Sequence, residues 1–250
     1  MSILARIYYQ QEKLNQAEQM QTKISNSYRQ SHGLDHPKTI NAMHDLATTY
    51  YNQGQLTKAE GLQKLILSLY KQKFGSDNPK TAVIMQNLVS TQYDQGHLNT
   101  AEKLQIQALS IFELSLGLKD PKTLNATQKL ATIYYQQNKL NKAEELQTKV
   151  LANYEQSLGL RHSTTLNAMQ NLSSIYYAQH QLSKAEEIQN KLLGLCEQSL
   201  GLHHSQTLHS MQTLALIYGQ QGNLKEAQQL QIKVSSIRMS ALVLESSEEE

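Results

Sequence analysis

The stretch PKTLNATQKLATIYYQQNKLNKAEELQTKVLANYEQSLG, residues 121–159, determines the fold, because the rest of the chain repeats it. Its apolar residues recur at helical intervals in two runs, which predicts two amphipathic helices. Polar residues 137–139 separate the two runs and predict a short turn between the helices. The unit is therefore expected to be a helical hairpin.

Copies of this hairpin follow one another at a constant spacing of 42 residues, the distance from Thr39 to Thr81. Three series show the spacing: Thr39, Thr81, Thr123, Thr165 and Thr207; Leu14, Leu56, Leu98, Leu140, Leu182 and Leu224; and Ala17, Ala59, Ala101, Ala143, Ala185 and Ala227. A fixed period of this length is typical of solenoids, in which each unit buries its apolar face against its neighbours. The sequence predicts an all-α solenoid of about six helix-turn-helix repeats.

The period divides the chain into an array, residues 1–243, and a short tail. The predicted units are 1–33, which is incomplete, then 34–75, 76–117, 118–159, 160–201 and 202–243. Residues 244–250 are rich in glutamate and predict a solvated acidic tail. Val243 stands where earlier units have a glycine, so the last helix is expected to continue past it.

The ends of the helices have their own sequence signals. Pro37, Pro79 and Pro121 lie where a first helix should begin, and Ser163 and Ser205 take the same place in later units. Proline suits the first turn of a helix, and a serine hydroxyl is expected to cap it. The turn within each unit carries Gly54, Gly96, Asn138, His180 or Gly222. Glycine and asparagine tolerate the positive φ of a tight turn, and His180 is the exception.

Charge and composition argue against several classes of protein. The net charge is only +2, whereas a nucleic-acid-binding protein usually has a strongly basic face. No apolar run approaches 18 residues, so no membrane association is predicted. The single cysteine, Cys196, cannot form an internal disulfide, which favours the cytoplasm. It occupies the place of Phe112 and Tyr154 and is expected to be a buried apolar substitute.

Metal binding and catalysis are not predicted either. The chain has nine histidines, but His36, His162, His203 and His204 fall in loops between units. No group of residues has the ligand spacing of a zinc site, and no acid, base and nucleophile come together. We expect no cofactor and no enzymatic activity.

The positions Leu130, Ala131, Tyr134, Asn138 and Ala143 carry a resemblance to a known family. Their residue types and spacing resemble the tetratricopeptide repeat, whose usual unit has about 34 residues. The longer unit, with GLDHP at 33–37 and AEELQ at 143–147, looks like the kinesin-light-chain type and like arrays of fungal and bacterial sensor proteins. The resemblance covers nearly the whole chain and implies a right-handed superhelix.

One position departs from the kinesin-light-chain pattern. Those repeats commonly have an aromatic residue just after the leucine of the second helix, where this chain has glutamine in every unit: Gln21, Gln63, Gln105, Gln147, Gln189 and Gln231. We expect this glutamine row to join one unit to the next rather than to contact a ligand. The coiled coil that joins light chains to the motor and the phosphate-binding motif of sensor NTPases are both absent from the sequence.

The resemblance implies that first helices line a concave surface where a protein or peptide partner binds. The residues expected there form four polar rows. They are Asn41, Val83, Asn125, Asn167 and His209; His44, Gln86, Gln128, Gln170 and Gln212; Thr48, Ser90, Thr132 and Ser174; and Tyr51, Tyr93, Tyr135 and Tyr177. Amide groups could clamp a peptide backbone while tyrosines offer flat contact area. The alternative is that these residues are simply the solvated face of each helix.

The sequence therefore predicts a non-enzymatic scaffold for a peptide or partner protein. Two alternatives use the same fold: a cargo adaptor of a microtubule motor, and the sensor region of a larger NTPase-type signalling protein. A third alternative is an RNA-reading helical repeat, which would need basic rows that this sequence lacks. The sequence does not specify the partner or the oligomeric state.

Overall fold

The structure is a computed structural model that describes the backbone of residues 2–247 and the side chains of residues 3–240. Within this range the chain forms twelve α-helices and no strand. They are α1 (Ser2–Gln10), α2 (Leu14–His32), α3 (Pro37–Asn52), α4 (Leu56–Phe74), α5 (Pro79–Asp94), α6 (Leu98–Leu116), α7 (Pro121–Gln136), α8 (Leu140–Leu158), α9 (Ser163–Ala178), α10 (Leu182–Leu200), α11 (Ser205–Gln221) and α12 (Leu224–Ser247). The fold is the predicted all-α solenoid of about six repeats.

The chain is divided into two compact units, Met1–Ile133 and Tyr134–Glu250, and the division falls within α7. The first unit has a core in which Val89 and Ala101 pack with Ile133, with Tyr93 and Leu104 at its border. In the second unit large buried side chains such as Leu166, Leu192 and Ile217 are fully enclosed. The core of each unit is therefore built by helices of successive repeats.

The last helix continues past Val243, as the missing glycine predicted. It ends at Ser247, so the segment expected to be an acidic tail is helical over its first four residues, 244–247. Residues 248–250 of that predicted tail lie outside the described part of the chain.

The turns inside the repeats have the geometry that the sequence indicates. Gly54 and Gly96 have φ of 72° and 77°, and Asn138 and His180 have φ of 58° and 59°. His180 therefore occupies a left-handed conformation that costs an ordinary residue about 1–2 kcal/mol. The expectation that this position needs a positive φ is confirmed.

Replacing His180 with glycine is expected to raise the free energy of unfolding by about 0.5–1 kcal/mol. Glycine adopts the positive φ without a Cβ clash, and this gain exceeds the entropy that it loses on folding. Urea unfolding followed by circular dichroism measures the change. An unchanged or lower stability would show that the His180 side chain makes a compensating contact.

The helix starts differ from expectation in one respect. Ser163 and Ser205 are the first residues of their helices, and the capping side chains are those of the preceding histidines. His162 Nδ1 accepts from Thr164 N at 3.2 Å, and His204 Nδ1 accepts from Gln206 N at 3.1 Å. The serine-cap prediction was wrong because the cap lies one residue earlier, where Asn78 and Asp120 act in other repeats.

The recurring threonine closes the loop between repeats. Thr39, Thr81 and Thr207 are buried, and each hydroxyl donates to the carbonyl of the glycine six residues earlier, at 2.7–2.8 Å. These glycines end the preceding helices. Thr123 and Thr165 are equally buried, but their hydroxyls form no such bond to another group of the described residues.

Candidate functional site

The first helices of successive repeats are joined side by side in both units. In the first unit the Asn52 amide donates a hydrogen bond to the Tyr9 hydroxyl, and the Tyr51 hydroxyl donates one to the Asp94 carboxylate. Asn87 Nδ2 lies 2.8 Å from His44 Nε2. Lys129 on α7 donates to Ser90 Oγ at 3.3 Å. The second unit has equivalent contacts between α9 and α11: Gln170 donates to Thr213 at 3.2 Å, and Gln206 donates to Asn167 at 3.0 Å.

Recesses lie between these helices in the first unit. One, of about 250 Å³, lies between α3 and α5 and is lined by His44, Thr48, Tyr51 and Ser90. The next, of about 220 Å³, lies between α5 and α7, and Tyr51 and Ser90 line it too. Because the two recesses share residues, they form one continuous surface, which we call the α3–α5–α7 groove.

Six of the residues predicted to bind a partner line this groove: His44, Thr48, Tyr51, Ser90, Tyr93 and Thr132. Asn41 lines a separate recess beside α1. Gln86 and Gln128 are half-buried, Asn125 is exposed, and none of these three lines the α3–α5–α7 groove. In the second unit Asn167 is exposed, and the other predicted residues are half-buried: Tyr135, Gln170, Ser174 and Tyr177.

The third predicted row, of threonines and serines, has fewer free hydrogen-bond donors than its sequence suggests. Thr48, Ser90, Thr132 and Ser174 each donate to the carbonyl of the residue four positions earlier, at 3.0–3.1 Å. Their protons are therefore already used within their own helices. Each oxygen can still accept a hydrogen bond, as Ser90 does from Lys129.

Titratable groups in the groove and beside it have shifted pKa values. The hydrogen bond that Tyr51 donates to Asp94, with burial as a second cause, raises the pKa of Tyr51 to about 12. Burial lowers the pKa of Lys129 and raises the pKa of Asp45 at the α1 side. These groups are partly withdrawn from water. Hydrogen bonds and charge interactions are stronger in such a setting than on an open surface.

Sequence reasoning missed Asn87, Lys129 and Asp94, which also line the groove. Asn87 and Lys129 lie four residues after Val83 and Asn125, whereas the predicted second row lies three residues after them. Both spacings fall on one face of a helix. Counting the four-residue spacing as well would have found this row.

Three members of the glutamine row are enclosed inside the repeats, whereas Gln63 lines the recess between α3 and α5. Gln105, Gln147 and Gln189 are at most 1 % exposed. Gln105 donates to the carbonyl of Ala126 at 2.7 Å, Gln147 to that of Ala168 at 3.0 Å, and Gln189 to that of Ser210 at 3.0 Å. Each bond joins a second helix to the first helix of the next repeat, so the expected role between units is confirmed for these three.

Two further features bear on chemistry. Cys196 is fully buried, as expected for an apolar substitute, and burial raises the pKa of its thiol. Within the described residues, no three His, Cys, Asp or Glu side chains come together in a way that could hold a metal ion. None of the described helices is both long and apolar enough to cross a bilayer.

A sequence profile of the tetratricopeptide repeat matches this chain in five overlapping segments, 1–72, 46–113, 90–156, 123–198 and 161–240. The chain belongs to the tetratricopeptide repeat family. No curated protein matches the sequence of this tetratricopeptide repeat protein.

Solved structures indicate which kind of tetratricopeptide repeat this is. The nearly identical TPR-like repeats of a putative kinesin light chain from Podosopora anserina are 25 % identical, with a TM-score of 0.75 over 82 % of this chain and 98 % of that one. BtubC (BKLC) from P. vanneervenii is 19 % identical, with a TM-score of 0.76 over 91 % and 92 %. The apo form of RapI shares the fold at 12 % identity, with a TM-score of 0.68 over 95 % and 96 %. The repeats are thus of the kinesin-light-chain-like type.

Proposed function

We propose that this tetratricopeptide repeat protein is a non-enzymatic scaffold, and that its α3–α5–α7 groove binds an extended peptide segment of a partner protein. One observation carries the proposal: Tyr51 and Tyr93 line a continuous surface of two linked recesses. Both rings are half-buried and need little further ordering to offer contact area to a ligand.

Polar groups in the groove suit a peptide backbone. Asn87 supplies an amide, His44 an imidazole and Thr132 a hydroxyl oxygen that can still accept a hydrogen bond. An extended peptide presents alternating N–H and C=O groups that need both donors and acceptors. The recesses then receive side chains of the peptide, which gives selectivity. A cytoplasmic location is part of this proposal, and the lone buried Cys196 supports it.

Replacing Tyr93 with alanine tests the proposal. Peptides selected from a random library against the wild-type chain are expected to bind the Tyr93→Ala variant at least about tenfold more weakly, because a buried aromatic contact is lost. Fluorescence anisotropy with labelled selected peptides measures the affinities. The control is Gln72→Ala on α4, an exposed residue outside the groove. Equal loss in both variants, or no loss in Tyr93→Ala, would contradict groove binding.

A cargo adaptor of a microtubule motor is the second candidate, favoured by the similarity to a putative kinesin light chain. The same groove would then hold a segment of the cargo. Co-sedimentation of this chain with a kinesin heavy chain distinguishes the two candidates. Association in this assay supports the adaptor function. If the two proteins do not associate, the adaptor is ruled out and the scaffold without a motor partner stands.

A further inference from the structure

A second surface of the first unit, on α6, carries exposed apolar side chains and shares no lining residue with the groove. Leu114 on α6 is 87 % exposed and Ile106 is 43 % exposed. Both line a recess of about 550 Å³. Ser110, which lies between them on α6, and Lys71, near the end of α4, line the same recess. We call Ile106, Ser110 and Leu114, together with Gln107 and Glu113, the α6 outer face.

Leu114 distinguishes this face, because every other repeat has a polar residue at its position. The position of Leu114 is glutamine in the neighbouring repeats, at Gln72, Gln156 and Gln198. The position of Ile106 is Lys64, Thr148 and Asn190 in the same repeats, and it is isoleucine again only in the last repeat, at the exposed Ile232. A helix face that only meets water has no need of these apolar residues, and exposed apolar patches commonly mark interaction sites.

The arrangement of the α6 outer face is symmetric about Ser110. Ile106 lies four residues before Ser110 and Leu114 lies four residues after it. At about 1.5 Å per residue, each apolar side chain is about 6 Å from the serine along the helix. When two α6 helices cross antiparallel at Ser110, Ile106 of each copy meets Leu114 of the other. The small serine allows the helices to approach closely at the crossing.

We propose that the α6 outer face binds a second copy of this chain, with two α6 helices packed antiparallel about a two-fold axis through Ser110. Such an interface is isologous, since the same residues serve both copies. Leu114 of one copy covers the recess beside Ile106 of the other and is thereby removed from water. The inference is independent of the groove and of whatever partner the groove binds.

Charge supports a second copy as the occupant. Gln107 and Glu113 lie three residues either side of Ser110, so the same symmetry puts Glu113 of one copy against Gln107 of the other. Lys71 lines the recess together with Gln107 and the carboxylate of Asp77, and Lys71 forms no ion pair within 4 Å with the described residues. The dimer therefore brings Glu113 within reach of an unpaired lysine. The two-fold axis makes this contact twice.

Sedimentation velocity of the full chain, from about 1 to about 200 µM, tests the dimer in the range where interfaces of modest size associate. We expect a concentration-dependent monomer–dimer equilibrium that the Leu114→Gln variant weakens about a hundredfold, because each dimer loses two buried leucines. Four other repeats have glutamine at this position, at Gln30, Gln72, Gln156 and Gln198, so the variant is expected to fold normally. Ile106→Thr should act in the same way, while Ile232→Thr, an exposed isoleucine on α12, should leave the dimer intact.

A charge exchange tests the orientation. Lys71→Glu and Glu113→Lys should each weaken the dimer, and the double variant should regain at least half of the lost affinity. Glutamate and lysine both occur at this repeat position in the chain, as Glu155 and Lys71 show, so both variants are compatible with the fold. A chain that stays monomeric at every concentration would overturn the proposal. A dimer affinity that Leu114→Gln leaves unchanged, or a double variant that dimerises more weakly than either single variant, would also overturn it.

Discussion

Replacing Gln147 with alanine is expected to lower the free energy of unfolding by about 2–4 kcal/mol. The side chain is 1 % exposed and donates to the backbone carbonyl of Ala168 in the next repeat. Truncation removes this hydrogen bond, worth about 0.5–1.5 kcal/mol, and leaves a cavity between two helices. Guanidinium unfolding followed by circular dichroism, with a fitted m-value, measures the loss.

Gln231 is the matched control, because it holds the same position in the last repeat but is exposed. Gln231→Ala should change the free energy of unfolding by less than about 0.5 kcal/mol. Gln147→Leu adds a second comparison, since it keeps most of the volume but removes the donor. Leucine should therefore cost less than alanine at this position. Equal effects at Gln147 and Gln231 would contradict the role of the glutamine row between repeats.

Replacing Gly159 with alanine should lower the free energy of unfolding by about 1–3 kcal/mol. Gly159 ends α8 with φ of 84° and ψ of 166°, a conformation that is nearly restricted to glycine. A Cβ at this residue would meet no atom within 4 Å, so the expected cost comes from the backbone alone. Thermal unfolding by calorimetry gives the shift in stability.

The control for this substitution is Gly194→Ala. Gly194 lies within α10, and an added Cβ there also meets no atom within 4 Å. Alanine should raise the free energy of unfolding by about 0.5–1 kcal/mol, because it favours a helix more than glycine does. The two substitutions add the same methyl group and should act in opposite directions. A stabilising effect at both positions would show that the loop relaxes to a conformation that alanine tolerates.

Much of the fold could be predicted from the sequence because the repeats present the same pattern many times. The turn at 137–139 was predicted and lies between Gln136 and Leu140 in the structure. The positive φ of His180 followed from glycine and asparagine at the same position in other repeats. When the same residue types recur at one position of several repeats, the position has a structural requirement, whereas a single occurrence could be chance.

Other features depend on contacts that the repeat pattern does not reveal. The caps from His162 and His204 were missed because histidine is a less common cap than serine. The bonds from Thr39 and Thr81 to glycine carbonyls depend on how the loop folds back on the helix. Predicting each of these hydrogen bonds requires the distance in space between its two atoms. The sequence gives only the spacing of residues along the chain.

The sequence carries only part of the information on how the candidate site is arranged, for the same reason. Tyr51 and Tyr93 belong to one of the four rows and line one recess in the structure, because helical periodicity sets the direction of a side chain. The rows did not indicate that Tyr51 bonds Asp94, or that Lys129 is partly buried beside Ser90. The binding role of all predicted residues remains a proposal.

A crystal structure of the chain with a peptide selected for binding tests the central proposal most directly. We expect the peptide to lie along α3, α5 and α7 in an extended conformation, with side chains in the recesses that Tyr51 and Tyr93 line. A peptide bound instead on the second helices, with the α3–α5–α7 groove left empty, would contradict the account.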